Sequence, residues 1–339
     1  MRLVVHMKSR ILVFAALLPL LATTGLSQKN QEKPKVHADF FFGTYPVARD
    51  AETLLGNPKV RMLLVGLHNK WNIEKTAKES GVAEDELERL FADLQEARLA
   101  DEIDQFDSRP ILPVVRDKDM KKIEKNLQSH TSDFAAYLRA NIPEIETALA
   151  PLTGAKGVPQ PQLLYQVVVG AILFGGMHDA FFEDQTIMVT PRRRVGSQRY
   201  YAWLIESDQK LAGVLKREQW ESDGYTMVAI GQGLAKSKVS LDSLRKENGM
   251  VLEEAEARRL RSFITIFSKE KLLPWFKKNR ESIRTTIALM DAGSYSSLSD
   301  VFAWYYDQIA NGAVSELVAS RKIQPPDGHY AFALKAPGR

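Results

Sequence analysis

Residues 58–98 read PKVRMLLVGLHNKWNIEKTAKESGVAEDELERLFADLQEAR, and three helices can be read directly from this stretch. Val60, Leu63, Leu64 and Leu67 recur at helical spacing, so Pro58–Asn69 is expected to bury one face. Asn72–Ser80 is a second short helix, stopped by Gly81, which takes a left-handed turn at little cost. Glu84–Arg98 is the third, with Leu87, Leu90, Phe91 and Leu94 spaced three and four apart. Leu99–Asp104, a turn at Phe106–Pro110 and the apolar run Ile111–Val115 then suggest a hairpin.

This order, with Ala77, Gly81, Val82 and Leu87 in the pattern Ala-x3-Gly-Val-x4-Leu, resembles a winged helix-turn-helix domain over residues 57–115. The resemblance implies that the hairpin Leu99–Val115 is the wing and that the third helix is the element such domains place in a DNA groove. It also implies that the helices after the wing mediate a homodimer. The charges oppose a nucleic-acid partner. Residues 72–104 hold eleven acids and four bases, and Glu84, Asp85, Glu86, Glu88, Asp93 and Glu96 lie on the third helix. A polyanion is repelled by such a surface. A scaffold or protein-contact surface is the expectation.

The N-terminus addresses the compartment. Arg2, Lys8 and Arg10 precede the uncharged run 11–22, and Gly25 and Ser27 are small residues before Gln28. Such a basic, apolar and small-residue succession is an export signal, shorter than the roughly 20 apolar residues of a membrane span. Its loss would remove three of 46 basic residues and leave 43 against 42 acids, so a formal charge of +4 is mostly signal. With no cysteine in 339 residues, disulfides and thiolate chemistry are excluded.

These observations divide the chain into a signal peptide (1–27), an extended leader (28–55), a winged-helix-like module (56–116), a helical segment (117–156) and a mixed domain (157–339). Asp117–Ser129 and Asp133–Leu149 are expected as two helices, the second with the stripe Phe134, Leu138, Ile142, Ile145 and Leu149. Gly157–His178 carries no charge and reads as a buried central helix, with Gly170, Gly175 and Gly176 permitting close packing. Thr186–Thr190 and Arg199–Ile205 look like paired strands, and Tyr225–Ile230 and Tyr330–Leu334 like further ones. Ser268–Arg284, with six bases and two acids, is a basic amphipathic stretch that suits peripheral membrane contact or an acidic partner, with Ser268 as its cap. Gly312 is expected to break Ser299–Asn311 from Val314–Ser320, and Arg261–Lys269 loosely echoes Arg109–Asp117. The fold class is α+β, helix-rich, with short antiparallel strands.

Catalytic signatures are sparse. Ser207–Lys210 and Ser243–Lys246 fit Ser-x-x-Lys without its companion motifs. After Gly231 and Gly233, the third glycine of a dinucleotide-binding turn is replaced by Lys236. The six histidines, His6, His37, His68, His130, His178 and His329, form no local metal motif, so neither metal nor cofactor is expected. The densest reactive set is His178, Asp179 and Glu183, the last two sharing a helix face. Arg192, Arg193, Arg194 and Arg199 follow, interleaved with aromatics, as candidates for binding a small anionic ligand. The leading expectation is a non-enzymatic envelope or periplasmic protein that binds a protein partner or a small anionic ligand. The alternatives are a hydrolase-like enzyme centred on His178, Asp179 and Glu183, and a membrane-anchored DNA-binding sensor.

Overall fold

The computed structural model describes residues 40–45, 48–104, 107–189, 199–206, 215–231, 239–247, 249–291, 298–326 and 330–336. The proposed signal, Arg192–Arg194 and Gln232–Lys236 lie outside the described residues. Strand β1 (Phe40–Tyr45) opens the described chain, followed by helices α1 (Arg49–Gly56), α2 (Pro58–His68), α3 (Ile73–Ser80) and α4 (Glu84–Glu96). Local chemistry sets their ends. Asn57 caps α2 by accepting from the Lys59 amide, and Asn72 caps α3 by accepting from that of Lys75 at 2.8 Å. Gly81, at φ 72°, closes α3. Leu63, Leu64, Leu87, Leu94 and Leu99 are buried together. The hairpin follows as β2 (Ala100–Asp104) and β3 (Asp107–Pro110), antiparallel with Asp101 opposite Arg109.

Strand β4 (Val114–Val115) runs parallel to β5 (Tyr201–Glu206), whose other edge pairs antiparallel with β1. The expected partner of β5 was Thr186–Thr190. Within that stretch, 186–188 form bends, and β1 takes the place beside β5. Chain from both sides of 151–161 therefore shares one sheet. Arg116 fastens it, with Nε and Nη2 donating to the Glu206 carboxylate at 2.6 and 3.2 Å and Nη1 to Asn69.

Helix α5 (Asp117–Leu149) is a single helix, not the expected two. Residues 129–132 contain no glycine or proline, and His130 and Thr131 are buried, so tertiary packing carries the helix through this polar stretch. The apolar stripe from Phe134 to Leu149 is covered within the chain.

Residues 160–184 form one continuous helix, α6 (Gln160–Tyr165), a π-helical segment (Gln166–Gly176) and α7 (Met177–Asp184). It is long and apolar enough to cross a membrane, but 78% of its most apolar window is buried inside the protein, as expected of a central core helix. Two π-segment carbonyls receive side-chain donors, Leu173 from the Tyr306 hydroxyl at 2.7 Å and Gly170 from Arg217 Nε at 2.8 Å.

An antiparallel pair of strands, β6 (Lys216–Ser222) and β7 (Tyr225–Gly231), turns on Asp223 and Gly224, both at positive φ. Helix α8 (Leu241–Lys246) is capped by Ser240. Strand β8 (Val251–Leu252) leads into α9 (Glu254–Phe267), a second π segment (Ser268–Leu272) and α10 (Leu273–Ile287). Ser268 is thus a buried residue within a continuous helix rather than a cap, and Pro274, which lacks an N–H, sits in the first turn of α10 just after the π segment. Arg261–Phe267 is helical, so its echo of Arg109–Asp117 is not structural.

Helix α11 (Leu298–Ala319) also runs unbroken through Gly312. A Cβ there would lie 2.5 Å from Thr131 Cγ2, so this glycine admits the close crossing of α5 and α11 instead of ending a helix. Strand β9 (Tyr330–Lys335) completes the second sheet, in the order β6-β7-β9-β8. Phe276 of α10 meets Phe134 of α5 at 4.9 Å, Phe181 of α7 at 5.3 Å and Tyr306 of α11 at 5.3 Å between ring centroids, tying four helices together. The protein is an α+β fold, helix-rich, with small mixed and antiparallel sheets.

Gly170 makes this packing testable. A Cβ at that position would lie 2.7 Å from Ile230 Cγ1 and 3.0 Å from Phe332 Cε1. Gly170→Ala is expected to cost about 1–3 kcal/mol through overpacking, measured by denaturant unfolding. Ile230→Val, which removes the nearest methyl, should recover part of that loss, and an unchanged midpoint for Gly170→Ala would refute the close contact.

Candidate functional site

The cluster singled out by sequence lies on α7. His178 Nδ1 is 3.3 Å from Asp179 Oδ1, and the His178 ring packs edge-on to Phe182 with centroids 4.0 Å apart. Helix geometry brings this pair together at the end of the buried helix. Glu183 instead forms an ion pair with Lys269, and the next carboxylate, Asp184, pairs with Lys277 and accepts from Thr186. Burial opposes ionisation of Asp184, but those hydrogen bonds outweigh it and hold its carboxyl below the ordinary range. The side chains of Asp179 and Glu183 are 74% and 60% exposed, so the three residues do not converge in an enclosed pocket. Among the described residues no group of three or more His, Cys, Asp or Glu is placed to hold a metal. Arg199 is exposed.

The lysines of the basic stretch are largely committed. Lys269, Lys271 and Lys277 pair with Glu183, Glu144 and Asp184, linking α10 and its preceding turn to α5 and α7. These are partly exposed pairs, each worth little alone. Their geometric effect is to turn the charge of this stretch inward onto neighbouring helices.

Two surfaces stand out. The first is the outer face of α4, where Glu84, Asp85, Glu88, Asp93 and Glu96 are exposed, while half-buried Leu90 and Phe91 flank the opposite side and pack against the core. Glu86 is bound by Lys59 Nζ at 2.6 Å, and Arg89 lies 3.7 Å from Asp85 on the same helix. Asp101 and Glu102 at the start of the hairpin extend the acidic surface.

The second is a cleft of about 370 Å³ between α5 and α10, which the sequence reading did not anticipate. His130 lies at its floor, with Nε2 2.9 Å from Ser282 Oγ and Nδ1 2.8 Å from the Tyr305 hydroxyl. The Asn126 amide donates to Thr286 Oγ1, which donates to the Ser282 carbonyl.

Two tautomers satisfy these bonds. With the proton on Nδ1, His130 donates to the Tyr305 oxygen and its Nε2 accepts from the Ser282 hydroxyl. With the proton on Nε2, His130 donates to Ser282 Oγ and its Nδ1 accepts from the Tyr305 hydroxyl. Burial depresses the His130 pKa, with Asp133 opposing, and raises that of Tyr305. Both groups are held neutral near neutral pH.

Sequence reading missed this cleft because Ser282 and Tyr305 stand 152 and 175 residues from His130. One signal was present. His130 lies four residues before Phe134, in phase with the apolar stripe of α5, which places an imidazole on a buried face.

His68 is shifted in the same direction by burial and by the Arg116 guanidinium, with Lys118 assisting and Asp291 and Asp119 opposing. As pH falls below 6.5, the unfolded chain takes up protons at these histidines before the folded one does. Stability is therefore flat above that value and declines as pH falls beneath it. Carboxylates with lowered values, such as Asp291, respond only in more acidic solution. Unfolding at pH 7.5 and 5.5 should show a lower midpoint at pH 5.5, with the difference reduced in His68→Gln. An equal or higher midpoint at pH 5.5 would contradict burial of neutral histidines. No protein-family model, curated protein or solved structure matches this chain.

Proposed function

We propose that this chain is an exported binding protein that engages another protein through the acidic outer face of its N-terminal helical module. The observation that carries the reading is the run of exposed carboxylates on the outer face of α4. A surface dominated by one sign of charge suits a protein partner that presents basic residues. The succession α2, α3, α4 and the β2–β3 hairpin supports a winged-helix-like scaffold for this face. Export is supported by the basic residues, apolar run and small-residue exit of 1–27.

The DNA-sensor alternative requires a basic surface where α4 presents acids, so its electrostatics are unfavourable. The small-ligand reading rests on Arg192–Arg194 and Arg199, and the hydrolase reading on the α7 cluster. The exposed carboxylates of Asp179 and Glu183 give that second reading little geometric support.

A photo-crosslinking residue at exposed Ala92 on α4 should yield a discrete protein adduct in the native host, and a probe at exposed Arg258 on α9 should not. Glu88→Lys with Asp93→Lys should reduce the adduct at least tenfold without altering thermal unfolding. The recovered chain should begin at Gln28. Tight binding to duplex DNA, or an adduct insensitive to the charge reversal, would overturn the proposal.

A further inference from the structure

We propose that Ser282 is a nucleophile activated by His130, and that the cleft between α5 and α10 accepts small, polar, uncharged carboxylic esters and hydrolyses them. The inference is independent of the acidic face of α4 and rests on two observations. A nucleophile, a base and a group that orients the base lie in sequence at hydrogen-bond distance, 2.9 Å and then 2.8 Å. The proposal takes the Nδ1–H tautomer, which turns the Nε2 lone pair toward the serine. Access is asymmetric: Ser282 is exposed in the cleft, whereas His130 and Tyr305 are buried behind it.

The rest of the cleft fits the chemistry. Asn126 uses one amide N–H on Thr286, and its second, with the hydroxyls of Ser129 and Thr285, supplies donors to an oxygen that gains charge. Glu281 at the rim lies 3.9 Å from Arg284 and disfavours anionic substrates. Burial keeps His130 unprotonated and able to accept at neutral pH. Tyr305 is a positioning residue. As a neutral phenol it holds Nδ1–H, in a place where a carboxylate would also stabilise the charged imidazole.

The reaction balances without a further reagent. Ser282 Oγ attacks the ester carbonyl carbon while His130 Nε2 takes the hydroxyl proton. The Oγ–C bond forms, the ester C–O bond breaks, and His130 returns the proton to the departing alkoxide. Water then attacks the acyl-serine, His130 takes its proton and delivers it to Oγ, and the carboxylic acid leaves.

The full chain is treated with diisopropyl fluorophosphate, whose P–F bond gives way to an Oγ–P bond, and separately with p-nitrophenyl acetate, with adducts mapped by peptide mass spectrometry. Ser282 is expected to be the labelled residue with both reagents, and Ser282→Ala, a change at an exposed position, to remain unlabelled. His130→Gln should slow labelling at least 100-fold. In the unmodified protein the labelling rate should rise with pH to a plateau, with a midpoint below 6.5, and Tyr305→Phe should shift that midpoint. Absence of a Ser282 adduct, or labelling no faster than at other exposed serines, would overturn the proposal. So would a folded His130→Gln variant with an unchanged rate. If that variant does not fold, the profile of the unmodified protein decides, because a rate proportional to hydroxide with no plateau excludes the histidine.

Discussion

The structure depends on enclosing an uncharged helix. Between Gly157 and His178 the chain has no ionisable residue except the Tyr165 phenol, and the helix that results is apolar all round. Such a helix is stable in water only when other elements cover every side. α9, α10, α11 and the β6-β7-β9-β8 sheet do so. Burial then makes its backbone polarity a constraint, because an unpaired carbonyl in a core costs as much as a lost hydrogen bond. Tyr306 and Arg217 answer two of these carbonyls, and each donor comes from a different covering element. Gly170 and Gly176 allow the close approach, the first against Ile230 and the second against Ser268 and Ile264.

Charge is arranged around this core in two ways. Near α7 and α10, lysines face carboxylates across helices, so the basic composition of Ser268–Arg284 yields pairs instead of a basic surface. On α4 acids predominate over bases and face solvent. Like charges on an exposed helix repel one another and are tolerated at modest cost. Their concentration on the outer face of α4 is what the proposed protein partner would read.

The cleft follows a different logic. His130 belongs to a stripe that builds the core, and its ring is buried because α10 and α11 close over α5. A buried imidazole needs partners for both nitrogens. Ser282 and Tyr305 meet that need, and satisfying it leaves a serine hydroxyl at the surface 2.9 Å from the imidazole. Packing requirements and chemical potential thus coincide at one residue.

The sequence alone determined the helices of residues 58–98, through Asn57, Asn72, Gly81 and the spacing of their leucines. It also determined the enclosed helix and the edges of β7 and β9. These are local signals, carried by periodicity and caps within a few turns. Its misreadings share a cause. Gly312 looked like a breaker, Ser268 like a cap and His130–Ser132 like a gap, because short-range propensity favours those readings when a segment stands by itself. In the fold, Gly312 receives Thr131, and the helices around Ser268 and His130 continue because their burial outweighs a propensity difference of less than about 1 kcal/mol per residue. The pairing of β1 with β5, and the meeting of His130 with Ser282 and Tyr305, were decided only by tertiary structure. Each joins residues more than 150 positions apart, and no periodicity in the sequence records which distant elements will close over one another.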